Sequence, residues 1–160
     1  MIKRFTGAMV SDGRRVSFAS VCIVIEFATS LDGVSADQLQ GPFFVGWPNP
    51  PDRDTHLLIL RGSDHVVLAI QEPERQVVGF ITAITDGVLS AFIPLLEVVP
   101  GYQGRGIGSD LVRRLLEQIG DLYAVDAMAD LDLHPFYEHL GLHSAPGVAL
   151  RNYDRQSGRS

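Results

Sequence analysis

Apolar and polar positions along this chain follow two rhythms, and the switches between them predict the elements. Residues 1–19 are polar and rich in Gly, Ser and Arg, and read as an N-terminal extension. Val21 to Phe27 is a β-branched run of strand length. Ser35-x-x-Gln38 has the spacing of a capping box and opens a short helix through Leu39. The stretch from Gly41 to Pro51 carries too many prolines and glycines for regular structure, yet it holds Phe43, Phe44 and Trp47. Asp54 or Thr55 is the expected cap of a short helix over His56–Arg61.

Period-two patterns then take over. His65–Ile70 and Val77–Thr85 read as strands, joined by the Glu72-Pro73-Glu74-Arg75 turn. Asp86-Gly87 signals a tight hairpin, and Leu89–Val99 returns antiparallel. Pro94 lies inside that strand and cannot donate to a ladder, so a bulge is expected around it. From Ile107 to Gln118 the apolar residues recur at helical spacing. Leu122–Met128 is a strand, Pro135–Leu140 a short helix ended by Gly141, and Val148–Asn152 a last strand. Strands precede, alternate with and follow helices, which predicts an α+β class with a mixed sheet. Residues 20–153 form one domain in this reading, and 154–160 a flexible tail.

Composition narrows the class. A chain of 160 residues is one domain at roughly 150 residues per domain. The apolar run Val21–Ile25 falls far short of the ~18 residues that a membrane span needs. No apolar stretch follows Lys3 and Arg4, so no secretory signal is read and the cytoplasm is the expected compartment. Acidic residues outnumber basic ones 19 to 13, a net charge of −6, which speaks against a nucleic-acid partner. Cys22 is the only cysteine and sits in an apolar run, so disulfide scaffolds and zinc ribbons are excluded within one chain. Lys3 is the only lysine, which leaves no Walker loop, kinase lysine or Schiff base. His139 and His143 have helical metal-pair spacing, but Gly141 between them should end the helix, and no metal is expected.

The chemistry concentrates in Glu97-Val98-Val99-Pro100-Gly101-Tyr102-Gln103-Gly104-Arg105-Gly106-Ile107-Gly108-Ser109. A strand ends, a glycine-rich turn follows, and a helix begins. The first helical N–H groups lack partners and carry the positive end of the helix dipole. Glycines admit a large anion to the backbone, and Arg105 adds a full charge with bidentate reach. Such a junction suits a phosphate or pyrophosphate. The Rossmann spacing fails, because its last glycine falls on Ser109 or Leu111.

Gln103-x-x-Gly106-x-Gly108, after a strand ending in Val98-Val99-Pro100, resembles the acyl-CoA signature of the GNAT superfamily of N-acetyltransferases. Pro135-Phe136-Tyr137-Glu138-His139-Leu140-Gly141-Leu142 resembles a second segment of that family, and the order of elements agrees over about Val21 to Tyr153. The resemblance implies a mostly antiparallel sheet flanked by helices and splayed at the CoA-binding strand. It implies acetyl-CoA as co-substrate and a primary amine of a small molecule or peptide as acceptor. Main-chain groups of Val98 and Val99 should pair with the pantetheine arm. Those of Gln103, Gly104, Arg105, Gly106, Ile107 and Gly108, with Ser109 near, should cradle the pyrophosphate. Phe136 and Asp130 fall beside the cofactor, although the family's usual Asn is here Asp130, which is also a candidate helix cap.

Tyr137 is the implied proton donor to the leaving thiolate. Reference pKa values of about 10 and 8.5 make that transfer uphill by roughly 2 kcal/mol, so positioning decides. The position where many relatives carry a base is Phe92, which cannot titrate. Glu97 is the nearest carboxylate, but alternation turns it to the opposite face from Phe92 unless a bulge at Pro94 resets the phase. Glu26 and Asp86 are weaker candidates. Phe43, Phe44, Trp47 and Phe92 are the expected acceptor wall. A non-catalytic acyl-CoA sensor is the alternative reading, and a nucleotide at the glycine loop a third. No membrane partner is expected, and exposed sheet edges in such folds often pair as homodimers.

Overall fold

The computed structural model describes residues 23–158. Its five strands are β1 (Val24–Ala28), β2 (His65–Glu72), β3 (Gln76–Thr85), β4 (Ser90–Val98) and β5 (Ala124–Ala127). The helices are α1 (Arg53–Arg61), α2 (Ile107–Ile119) and α3 (His134–Glu138), with a 3-10 turn at Ala36–Gln38 where the Ser35 capping box forms. The sheet runs in chain order. The first four strands pair antiparallel, and β5 joins β4 in parallel. The expected α+β class and mostly antiparallel sheet are what the molecule shows.

Alternation along β2 and β3 splits the interior into two cores. Val67, Ala69, Ile81 and Ala83 face α2 and its Ile107, Leu111, Val112 and Leu115. Val66, Leu68, Ile70 and Phe80 face the other way and meet Leu57, Leu60, Leu39 and Phe44. The sheet is therefore buried on both sides along its centre, as period-two strands flanked by amphipathic helices require.

The sheet opens between β4 and β5. Only Ser90–Ile93 pair with Ala124–Ala127, so among the described residues β4 has no partner on that side from Pro94 onward. The bulge expected at Pro94 is present. Opposite β3, the pairing steps from Thr82–Leu95 to Ile84–Phe92, so two residues of β4 stand against one of β3.

Several expectations need correction. Asp52, rather than Asp54 or Thr55, caps α1, accepting from the Thr55 N–H at 2.8 Å. Asp52 follows Pro50 and Pro51, so the helix starts one turn earlier than its apolar residues suggest. Asp86-Gly87 opens a longer loop, because Asp86 Oδ1 gathers the N–H groups of Val88, Leu89 and Ser90 at 2.7–3.1 Å. Those bonds hold its carboxyl at about 2. Val148–Asn152 forms no strand, and Val148 and Leu150 are 97% and 96% exposed. No strand among the described residues pairs with this segment, so its apolar residues have no sheet face to bury.

Gln156 and Gly158, in the segment expected to fray, instead reach the domain. The Asn49 N–H donates to Gln156 Oε1 at 3.1 Å, and Gly158 lies against the Thr55 methyl. The polar extension at 1–19 and Cys22 lie outside the described residues.

Candidate active site

The glycine-rich junction folds as an anion cradle. Gly104 and Gly106 take φ of +72° and +85°, the left-handed region that only glycine enters freely. Gly106 caps α2, and the first helical bond runs from the Asp110 N–H to its carbonyl at 3.0 Å. The preceding N–H groups, from Gly104 through Ser109, have no hydrogen-bond partner among the described residues. Consecutive free N–H groups at a helix N-terminus suit an anion of several oxygens. Arg105 stands beside them with its guanidinium 5.1 Å from the centroid of Tyr102, a cation–π contact that limits where it can swing.

The open edge of β4 leads into this cradle. The Val99 N–H bonds to the Val78 carbonyl at 2.9 Å, and the Val99 carbonyl accepts from Tyr102. Both main-chain groups of Val99 are thus spent within the fold, which corrects their expected contact with the cofactor arm. Val98, one residue out of phase, turns its main chain toward the gap. Its carbonyl accepts from Gln103 Nε2 at 2.8 Å, so the Gln103 side chain covers that edge.

Phe136 of α3 packs over Gly108, where a Cβ would come within 3.6 Å of its ring. That contact seats α3 against the start of α2. It brings Tyr137, edge-on to Phe136 at 5.0 Å, against the α2 core. Tyr137 is half-buried, and burial raises its pKa, so the hydroxyl stays protonated. Asp130 is exposed and makes no side-chain cap, so the helix-capping alternative fails.

Glu97 is the main surprise. Cross-strand partners share a face: Phe80 opposes Glu97, and Ile84 opposes Phe92. Phe80 and Ile84 are an even number of residues apart on β3, so Glu97 and Phe92 point the same way. The bulge at Pro94 has reset the phase. Glu97 is half-buried, and its Oε2 accepts the Phe44 N–H at 3.2 Å. Burial raises its pKa and the Phe44 bond opposes that rise, with burial the larger influence. A carboxyl raised in this way is a better proton acceptor than an ordinary one, which suits it to the role of a general base.

The aromatic loop divides. Trp47 and Phe92 are 37% and 38% exposed and can meet a ligand. Phe44 is buried at 3% and belongs to the core, which corrects its place on the acceptor wall. Phe43 is half-buried between the two cores. Glu26 pairs with Arg75 at the surface, and Asp86 is consumed by its loop, so neither competes with Glu97. No group of three or more His, Cys, Asp or Glu able to hold a metal occurs among the described residues. No helix among them is long and apolar enough to cross a membrane.

Sequence reading passed over His56. It is 2% exposed, and its ring sits 4.5–5.0 Å from those of Phe43, Phe44 and Phe80. Its Nε2 has no partner, and burial lowers its pKa to about 4. The available signal was its spacing of four from Leu60 on the buried stripe of α1. Because the folded state refuses a proton that the unfolded chain accepts at about 6.5, stability is full above that pH and falls as pH drops toward 4. The expected loss is up to about 3 kcal/mol. Urea titrations at several pH values should show this slope in the native chain and a flatter one in His56→Leu.

A cavity of about 540 Å³ runs along β5, bordered by Ala124, Asp126, Ala127, Tyr137 and Leu140. A shallower hollow of about 250 Å³ lies at the β3–β4 end, bordered by Ile84, Phe92 and Asp126. Asp126 is the residue common to both.

Comparison with known proteins agrees with this architecture. The model of the acetyltransferase (GNAT) family matches residues 35–142. A crystal structure from Deinococcus radiodurans R1, assigned as an acetyltransferase, is 51% identical, covers 85% of this chain and 94% of its own, and superposes with a TM-score of 0.82. The GCN5-related N-acetyltransferase 1, chloroplastic, of Arabidopsis thaliana is 32% identical over 120 residues, 72% of this chain and 59% of that protein. The chain spans about three-fifths of the length of such full-length relatives. An aminoglycoside N-acetyltransferase solved with CoA, 14% identical, shares the fold over 84% of this chain and 97% of its own, with a TM-score of 0.59. With the family model spanning the glycine cradle, the open strand and α3 together, the chain belongs to the acetyltransferase (GNAT) family.

Proposed function

We propose that this protein is an N-acetyltransferase that moves an acetyl group from acetyl-CoA to a primary amine by direct attack on the thioester. The observation that carries this reading is the run of unpaired N–H groups from Gly104 to Ser109, set at the end of a strand edge left open at Val98. Those groups and Arg105 would hold the pyrophosphate, and the Val98 main chain would meet the pantetheine amides once Gln103 swings away. Acetyl-CoA supplies the activated acetyl group.

The remaining work falls to this chain's side chains and backbone. Glu97, raised by burial, takes a proton from the acceptor ammonium and frees the nucleophilic lone pair. The Val98 N–H donates to the thioester oxygen as negative charge develops there. The Tyr137 hydroxyl gives its proton to the departing sulfur, and the second proton shed by the acylated nitrogen restores the hydroxyl. Burial keeps that hydroxyl protonated but makes it a poorer acid, so its fixed position matters more than its acidity.

A sensor without catalysis drew its support from the missing carboxylate at Phe92. Glu97, on the same face though further along the strand, offers another carboxylate and weakens that support. The test is thiol release from acetyl-CoA across a panel of primary amines. Turnover should fall at acid pH with a midpoint above the ordinary carboxylate range, and Glu97→Gln should lose this limb. Saturable CoA binding with no turnover on any amine would overturn the enzymatic reading.

A further inference from the structure

We propose that Asp126 and Phe92 form a second recognition point on the acceptor side, selecting elongated amines that carry a second cationic group. This proposal rests on the acetyltransferase reading for which nitrogen reacts, but its binding geometry stands separately. Ile84, Phe92 and Asp126 occupy one line across β3, β4 and β5, because Ile84 opposes Phe92 and Phe92 is in register with Asp126. Their neighbours Val125 and Ala127 turn to the α2 core, which leaves Asp126 on the Phe92 face.

The chemistry of this line is that of a cation subsite with an apolar floor. Phe92 is 38% and Ile84 52% exposed, and together they border the 250 Å³ hollow. Asp126 is exposed and makes no hydrogen bond or ion pair among the described residues. The other carboxylate of the hollow, Asp86, is bound to its own loop's N–H groups. An aromatic face beside an unpaired carboxylate attracts an ammonium through both the ring quadrupole and the charge. Asp126 also borders the cavity that Tyr137 lines, so the hollow and that cavity share an edge.

Spacing sets the ligand's length. Glu97 opposes Phe80, and Phe92 opposes Ile84, four residues further along β3. At about 3.3 Å per residue this separates the two carboxylate-bearing positions by roughly 13 Å along the strand. Side chains reaching toward a common ligand shorten that span to roughly 10 Å between the two nitrogens. An α,ω-diamine or a polyamine with an apolar stem fits. A short diamine cannot reach both ends.

Calorimetric titration of octane-1,8-diamine, butane-1,4-diamine and n-octylamine into the protein, with coenzyme A present, tests this directly. The long diamine should bind about fivefold tighter than n-octylamine, and butane-1,4-diamine should gain nothing. In Asp126→Asn, with its fold checked by circular dichroism, the long diamine should fall to the monoamine's affinity. Equal binding of the long diamine and n-octylamine by the native protein overturns the proposal, as does an advantage that survives in Asp126→Asn. Thiol release with the same amines separates the two readings. Equal turnover of monoamine and long diamine sinks the subsite and keeps the acetyltransferase. Asp126-dependent binding with no turnover sinks the acetyltransferase and keeps the subsite.

Discussion

Gly106→Val is expected to weaken acetyl-CoA binding by about a hundredfold in a protein that still folds. The loss has two physical sources. At φ +85° a β-branched residue is strained, because the left-handed conformation costs roughly 1–2 kcal/mol for L-residues. Relaxing that strain rotates the peptide planes that aim the neighbouring N–H groups. The new side chain also fills space that is now open, since nothing beyond its chain neighbours lies within 4 Å of where a Cβ would stand. That open space is where the diphosphate would press against the backbone. A hundredfold is about 3 kcal/mol, the worth of one or two hydrogen bonds to a charged group. Gly106→Asn separates the sources, because Asn tolerates the left-handed turn yet still occupies the space. Isothermal titration with acetyl-CoA reads both variants. Unchanged affinity in a folded Gly106→Val would remove the anion cradle, and the proposed function with it.

Tyr137→Phe should lower kcat by about a hundredfold or more, the usual reach of a positioned general acid, while CoA affinity moves by less than about threefold. The substitution keeps the ring that stacks edge-on with Phe136 and packs against the α2 core. It removes only the hydroxyl, so a fall in turnover reports proton donation rather than lost packing. Steady-state kinetics alongside calorimetry give the comparison. A variant with native kcat would place the donor elsewhere.

The parts of the fold that local chemistry dictates were legible in the sequence. The cradle was visible because glycines at 104, 106 and 108 before a helical repeat have few other uses. The antiparallel strands and α2 followed from periodicity alone. The Pro94 bulge was legible as an event but not as an outcome. Whether Glu97 faces the chemistry depends on how β3 absorbs the extra residue, a tertiary pairing that no local pattern encodes. Phe44 and Trp47 looked alike as aromatics in one loop. Only packing against His56 and Phe80 distinguishes the buried ring from the exposed one.

Val99 was misplaced for a related reason. Alternate residues of a strand turn their main chains to opposite neighbours, so Val98 and Val99 cannot both face the gap. Asp126 was hidden in a short apolar strand, where a single carboxylate carries little periodic signal. The absent strand at Val148–Asn152 shows the limit of a local apolar pattern, because a segment without a partner edge forms no strand.

The gap between β4 and β5 has a consequence for handling the protein. A bare strand edge is a template for any stray extended peptide, and such templates promote clumping. The Gln103 amide lying across the Val98 carbonyl acts as a small guard over that edge. A ligand lodged there would do the same work more thoroughly and would raise the melting temperature by mass action. Preparations kept saturated with coenzyme A should therefore stay monodisperse longer in storage than empty ones.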